Sequence, residues 1–295
     1  MRVRLAARPS RLSLIQVELA ARYIAGVLGG FSYELVPVTT RGDRVRDRPL
    51  HEIGGKGLFE GEVDKTVLEG HADAAVHSMK DLPSRLPDGL AIAAVPPRGS
   101  PWDSLVPARG RPPLAPEDLP PGTRVAAGSP RRRLALLQAN PRVEATWVRG
   151  NLDTRLRRID EGRADYLIAA EAGLERLGVD RPRRVLPAIP FTPAPGQGLI
   201  AVVAPRESSV YRLLSKARDP RAWAEAQAER AFLEELNAGC SRPVGAVARY
   251  EDGVVTVTAA VFSMDGRAAW FRVAHRDPVE AGVRAAEAVK SVPWW

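Results

Sequence analysis

Apolar positions along this chain switch repeatedly between runs that suit buried strands and stripes that suit one face of a helix. Residues 3–7 read as a short buried strand, and Ser10 stands where an N-cap would open a helix over 11–28, stopped by Gly29-Gly30. Residues 33–39 are predicted as a second strand. A polar loop opening at Arg41-Gly42-Asp43 follows, then Gly54-Gly55-Lys56-Gly57 and a helix from about 58 to 68. Residues 73–77 and 90–95 read as two more short strands. Strands alternating with helices put the chain in the α/β class, with a parallel or mixed sheet.

The rhythm weakens over 96–122, where proline is dense, and this stretch is predicted as a linker followed by a surface excursion. It resumes with a strand at 123–127, helices at 130–139 and 151–161, a strand at 165–169 and a short helix at 172–177. A second proline-rich stretch, 187–195, precedes a predicted strand at 196–203. Two such crossings between similar halves predict two lobes, the chain returning to the first, with the cleft between them as the ligand site. The tail changes character: helix 221–237, strands at 245–250, 254–261 and 267–274, and helix 277–291 predict a small α+β domain. The expected partition is 1–96 with 196–217, then 97–195, then 218–295.

Composition alters this picture little, since 45% apolar and 26% charged residues describe an ordinary soluble globular protein. No apolar run reaches the length of about eighteen residues that a membrane helix needs. Residues 12–15 are apolar, but Gln16 and Glu18 interrupt them, so no signal peptide is predicted; with a single cysteine in the chain, the expected compartment is the cytoplasm. Net charge is +8, and only five of 43 basic residues are lysine. Arginine excess fits nucleic-acid contact, recognition of carboxylates or phosphates, or genome bias. A basic tail is absent and the 6% aromatic residues do not interleave with the arginines, so nucleic acid is not an expected partner. Scarce Asn, Gln, Met and Cys beside 26 prolines fit heat adaptation as well as a GC-rich genome. The four histidines form no metal-binding spacing, and neither a P-loop nor a dinucleotide fingerprint nor a nucleophile elbow occurs.

Three stretches carry candidate chemistry. Cys240 lies between a helix and a strand in a turn set by Gly239 and Pro243; a loop thiol so placed presents its side chain, although a free cysteine taken alone is more often a small buried hydrophobe. His77-Ser78-Met79-Lys80-Asp81 leaves the carboxyl end of a buried strand, where open α/β sheets place functional side chains. Neighbouring Lys80 and Asp81 shift each other's proton affinities, which suits Asp81 to act as acid and base in turn, though an isolated pair is more often a surface ion pair. Ser129-Pro130-Arg131-Arg132 and Arg149-Gly150-Asn151 to Arg155 both open helices with a cap and arginines. Two arginines in a first turn oppose the helix dipole and therefore require an anionic partner; a receptor for several carboxylates competes here with a solvated basic face.

Together these motifs resemble the porphobilinogen deaminase family, the hydroxymethylbilane synthases. The likeness is carried by Ala7-Arg8-Pro9-Ser10 with Gln16, Thr40-Arg41-Gly42-Asp43, Gly54-Gly55-Lys56-Gly57-Leu58-Phe59, and Ala75-Val76-His77-Ser78-Met79-Lys80-Asp81. It continues through Arg149-Gly150-Asn151 to Thr154-Arg155, Ala172-Gly173-Leu174 to Arg176-Leu177-Gly178, Pro195-Gly196-Gln197-Gly198, and Gly239-Cys240 with Pro243-Val244-Gly245. The resemblance implies two periplasmic-binding-protein-like lobes hinged near 96 and 195, plus a small third domain. It implies a dipyrromethane cofactor joined to Cys240 through a thioether, onto which four porphobilinogen units are condensed head to tail with loss of ammonia before hydrolytic release. Asp81 would stabilise charge on the pyrrole nitrogens and shuttle protons. Lys80, Ser129, Arg131, Arg132 and Arg155 match cofactor contacts; Arg8, Arg149, Arg155 and Arg176 match substrate-carboxylate positions; Ser10, Gln16, Lys56 and Ser78 match supporting ones. The implied protein is a metal-free cytoplasmic monomer acting on a small molecule.

One departure stands out. The family usually reads Gly-Thr-Ser-Ser-Leu-Arg-Arg where this chain has Ala126-Ala127-Gly128-Ser129-Pro130-Arg131-Arg132. Two hydroxyl contacts to the cofactor are thereby lost at Ala127 and Gly128, and a changed hydrogen-bond pattern is expected, not a lost activity. A non-catalytic anion-binding protein on the same two-lobed plan would explain the arginines but leaves Cys240 and the Lys80-Asp81 pair without a task.

Overall fold

The computed structural model describes residues 2–40, 61–236 and 243–295. Residues 41–60, with the polar loop predicted from 41, Lys56 and the helix start predicted at 58, lie outside the described residues, as does Cys240.

Strand β1 (Arg2–Ala7), helix α1 (Arg11–Leu28) and strand β2 (Ser32–Pro37) open the chain. The Ser10 hydroxyl accepts from the Ser13 amide at 3.3 Å, capping α1 as expected. Helix α2 (Gly61–Leu68), strand β3 (Ala74–Ser78) and strand β4 (Leu90–Ala94) follow. Along β1 the side chains alternate: Val3, Leu5 and Ala7 join Val17, Ala20 and Ile24 of α1, while Ala6 points to the other layer with Val63 and Val67 of α2. That alternation buries both faces of the sheet and explains the near-continuous apolar strands.

The predicted surface excursion over 96–122 is corrected by the structure. It contains strand β5 (Asp103–Pro107), buried at all five positions and paired inside the second sheet. Its polar start hid it: Asp103 and Ser104 break the apolar run, yet each is buried because it has a partner, described below. Strand β6 (Arg124–Ala127), helix α3 (Pro130–Ala139), strand β7 (Glu144–Thr146) and helix α4 (Leu152–Asp160) come next. Strand β8 (Tyr166–Ala170), helix α5 (Glu171–Arg176) and the two-residue strand β9 (Arg184–Val185) complete the second layer set. The reading missed β7 and β9, which are too short to carry a period.

The chain then returns as strand β10 (Ile200–Pro205) and helix α6 (Ser209–Leu214). The strand predicted from 196 begins only at 200, because Gly196 and Gly198 sit at φ of 79° and 86° and turn the backbone. The first sheet has the order β2-β1-β3-β10-β4 and the second β7-β6-β8-β5-β9. Each holds four strands running one way and one antiparallel strand delivered by a crossing: β10 lies between β3 and β4, and β5 between β8 and β9.

Helix α7 (Pro220–Glu235), strands β11 (Val244–Glu251), β12 (Val254–Phe262) and β13 (Ala268–His275), and helix α8 (Pro278–Lys290) form the third unit. Its antiparallel sheet is covered on one face by Ala228 and Phe232 of α7 and Ala285 and Val289 of α8. Ala260 and Phe262 on the other face pack with Leu134 and Phe191 beside the second sheet.

Candidate active site at the two crossings

Strand β3 ends in a 3-10 turn, Met79–Asp81, anchored by the buried Met79 side chain and a Met79 amide bond to the Leu199 carbonyl at 3.0 Å. The return crossing lies directly on this turn. A Cβ at Gly196 would stand 2.8 Å from the Lys80 amide nitrogen, and one at Gly198 would stand 2.5 Å from the Gly99 carbonyl oxygen of the outgoing crossing. Only glycine fits either place, so both crossings and the Lys80-Asp81 turn are locked backbone to backbone.

Gln197, between those glycines, is fully buried and its amide joins both lobes. Nε2 donates to the Pro101 carbonyl and to Asp103 Oδ1, each at 2.8 Å, while Oε1 accepts from Lys80 Nζ and Arg132 Nη2, each at 3.3 Å. Burial, and then the neighbouring Arg132 charge, lower the Lys80 pKa to about 8. Asp81, next to it, is exposed and makes no hydrogen bond or ion pair among the described residues; its carboxylate acts on Lys80 and Arg155 through space.

Across the cleft, the Ser129 hydroxyl caps α3 on the Arg132 amide at 3.3 Å. The anionic partner demanded by Arg131 and Arg132 is internal: Arg131 Nη2 donates to Asp103 Oδ2 at 2.9 Å and Arg132 Nη2 to Asp103 Oδ1 at 2.6 Å. Arg131 Nη1 also donates to the Thr192 carbonyl at 2.6 Å. Burial alone would raise the Asp103 pKa, but Arg132 and Arg131 outweigh it and hold the carboxylate well below its usual range. Ser104, the next residue, hydrogen-bonds Glu171, which is itself paired with Arg183.

The other arginines are differently placed. Arg155 is tied by its Nε to the Gly150 carbonyl at 2.7 Å, and burial, then Arg132, lower its pKa to about 10. Arg176 donates from Nη2 to the Gly198 carbonyl at 2.6 Å, and burial lowers its pKa to about 10. None of Lys80, Arg149, Arg155 and Arg176 forms an ion pair among the described residues. Asn151 stands at the N-cap position of α4 without a capping side-chain bond. On the first lobe, Arg8 and Ser10 flank the turn into α1, and the Gln16 amide pairs with the Ser78 hydroxyl, Nε2 at 2.8 Å and Oε1 at 3.1 Å. Behind them His77 Nε2 lies 2.9 Å from Asp64 Oδ1 in the buried layer.

The third unit grips the same junction. Arg98 Nη1 lies 2.6 Å from Glu229 Oε1 and 3.1 Å from Glu225 Oε2, while its Nε and Nη2 donate to the Gln197 carbonyl at 3.0 and 2.9 Å. Glu229 also accepts from the Gly196 and Ala248 amides. Three buried charges thus pin both crossings to α7 and β11.

Comparison with known proteins decides the lineage. A family model described as porphobilinogen deaminase, dipyromethane cofactor binding domain, matches residues 3–212, and one described as porphobilinogen deaminase, C-terminal domain, matches residues 223–291. The chain belongs to the porphobilinogen deaminase family. It is similar to proteins named probable porphobilinogen deaminase from Hyperthermus butylicus (46% identity, 90% of this chain and 88% of that one) and Pyrobaculum neutrophilum (44%, 98% of each). A third, from Aeropyrum pernix, is 47% identical over 94% of this chain and 91% of its own. Among solved structures, the second substrate binding domain of a putative amino acid ABC transporter from Streptococcus pneumoniae superposes with a TM-score of 0.45 at 13% identity, covering 74% of this chain and 91% of that one. Porphobilinogen deaminases are enzymes, and this chain is one of them. The domain matched over residues 3–212 is the family's dipyrromethane cofactor binding domain.

The site reading missed Asp103, Gln197, Arg98, Glu225 and Glu229. A signal existed for the first alone, since two arginines opening a helix required an acid. The rest meet through tertiary contacts, such as Arg98 with Glu225 and Gln197 with Asp103, that no local pattern reveals.

Proposed function

We propose that this protein joins four porphobilinogen units head to tail on a dipyrromethane primer held by Cys240, then releases the linear tetrapyrrole by hydrolysis, acting as a cytoplasmic monomer. Lobes at 1–96 with 196–217 and at 97–195, and a third domain at 218–295, would flank the cleft. The observation that carries the reading is a set of cations without counterions: Lys80, Arg149, Arg155 and Arg176 form no ion pair among the described residues, while burial depresses three of them. Desolvated charges of one sign fit a ligand that brings the opposite sign, and acetate and propionate groups on each pyrrole supply it.

The primer, when bound, supplies the free pyrrole carbon from which the chain grows. Each addition breaks the aminomethyl C–N bond, releasing ammonia, and forms one C–C bond; the ring carbon that bonds gives up its proton. Asp81, without an ion pair among the described residues, is available to take that proton and to face the positive charge that develops on the pyrrole nitrogen. Lys80 and Arg155 orient the ring carboxylates. Arg131 and Arg132 are already shared with Asp103, so their role is to hold a rigid positive wall and not to bind a carboxylate unaided. Arg8 and Arg149 would receive carboxylates of the incoming unit, with Ser10, Gln16, Lys56 and Ser78 in support.

Intact mass spectrometry of the wild type and of Cys240→Ser tests the reading. Two pyrrole units should appear on the wild type alone; an unmodified wild type that binds but does not consume porphobilinogen would make this an anion-binding protein instead. Asp81→Asn should retain the adduct while turnover falls by about 10²–10⁴. Turnover near the wild-type rate would remove Asp81 from the chemistry.

A further inference from the structure

Gly128 ends the loop between β6 and the Ser129 cap of α3, and its backbone is not in the left-handed region that demands glycine. A larger side chain is conformationally allowed there, so the reason for glycine is spatial. The Cβ direction is already occupied: an atom placed there would stand 2.9 Å from Arg155 Nη1 and 3.3 Å from Arg155 Cζ, whereas the Val148 carbonyl oxygen is at an ordinary 3.4 Å. The guanidinium of Arg155 is what fills the position.

Arg155 is also fixed from behind, through the bond from its Nε to the Gly150 carbonyl. With Nε tied and the fork lying against the bare backbone at 128, its two terminal nitrogens have no bonded partner among the described residues. After burial, the charges of Arg132 in α3 and Asp81 after β3 act on it most strongly.

We propose that Gly128 is a positioning residue whose missing side chain forms the seat of the Arg155 guanidinium. A two-pronged cation then stands where a side chain at 128 would otherwise face the cleft, and the size of residue 128 sets how deeply a carboxylate can be drawn in. This rests on the reading that the cleft takes ring carboxylates. Since the crowded atoms are the far end of a flexible side chain, enlarging residue 128 moves Arg155 and leaves the fold intact.

The test uses Gly128→Ala and Gly128→Ser, each alone and in an Arg155→Lys background, with crystal structures, melting curves and steady-state kinetics. Expected results are a guanidinium displaced by about 1 Å, enough to restore ordinary van der Waals spacing, and a Tm within about 2 °C of wild type, as for a change of under ~1 kcal/mol. KM for porphobilinogen should rise about tenfold with kcat little changed, as for a weakened charge-assisted contact made equally before and during reaction. In the Arg155→Lys background the same changes at 128 should add nothing. An Arg155 guanidinium still in its original place in Gly128→Ala would overturn the proposal. So would an equal KM penalty in both backgrounds, or a large loss of Tm showing that residue 128 abuts something rigid. If the wild type neither carries the adduct nor consumes porphobilinogen, the functional reading fails by itself, while the displacement of Arg155 still decides the role of Gly128.

Discussion

Replacing Lys80 with methionine should stabilise the primer-free protein, although it removes a functional charge. Among the described residues the Lys80 ammonium has one neutral acceptor, Gln197 Oε1 at 3.3 Å, and Arg132 shares that oxygen. Burial and Arg132 bring its pKa from 10.5 to about 8. That drop corresponds to at most about 3 kcal/mol of penalty on the charged form, reduced by the water that still reaches the side chain. Below pH 8 the group is protonated in both folded and unfolded chains, and the full penalty stands. Between about 8 and 10.5 the unfolded chain binds the extra proton, so the penalty fades as pH rises. In Lys80→Met the Gln197 oxygen keeps its bond from Arg132, and the flexible thioether fills the vacated volume. In a Cys240→Ser background, Tm at pH 7 should rise by about 5 °C, and that gain should shrink toward pH 10. In the primer-loaded wild-type background the sign should reverse, because a buried carboxylate would lose its partner. Differential scanning fluorimetry of the four proteins from pH 6 to 10 reads both effects. A lower Tm for Lys80→Met in the Cys240→Ser background at pH 7, or a gain independent of pH, would refute the reasoning.

Two further outcomes follow from buried charges at the junction. Arg98→Met leaves Glu225 and Glu229 buried without a cation and should cost about 3–5 kcal/mol at pH 7, measured by chemical denaturation. Burial already outweighs Arg98 in raising the Glu229 pKa, so the cost should ease as pH falls and Glu229 takes up a proton; a deficit constant with pH would argue against an uncompensated carboxylate. Asp103→Asn strips Arg131 and Arg132 of their partner and should cost a similar ~3–5 kcal/mol. With its folded pKa held well below normal, the Asp103 contribution is complete above about pH 4 and is lost only in stronger acid. Equal stability of the two proteins at pH 7 would contradict the pairing.

The local chemistry of this chain was legible wherever a physical rule acts within a few residues. Helix α1 starts at its Ser10 cap, α3 runs over the predicted 130–139, and the third unit has the predicted helix, three antiparallel strands and helix. The Lys80-Asp81 turn follows its strand, and the arginine pair opening α3 announced that an anion had to exist. The pattern failed at β5, where Asp103 and Ser104 look like surface residues until Arg131, Arg132 and Glu171 arrive from elsewhere in the chain. It also misplaced the start of β10, because glycines at 196 and 198 were free to read as strand until the Lys80 and Gly99 backbones closed on them.

Sequence alone therefore determined most of the helices and the longer apolar strands, that the chain returns to its first lobe, and which residues carry charge. Tertiary structure decided which of those charges are spent. Asp103 neutralises two arginines and Arg98 is consumed by two glutamates, while Lys80, Arg155 and Arg176 are left desolvated without an ion pair among the described residues. Periodicity and capping act over one or two turns of chain, but pairing of buried charges depends on distances set by folding, from 28 residues for Arg131 with Asp103 to 131 for Arg98 with Glu229.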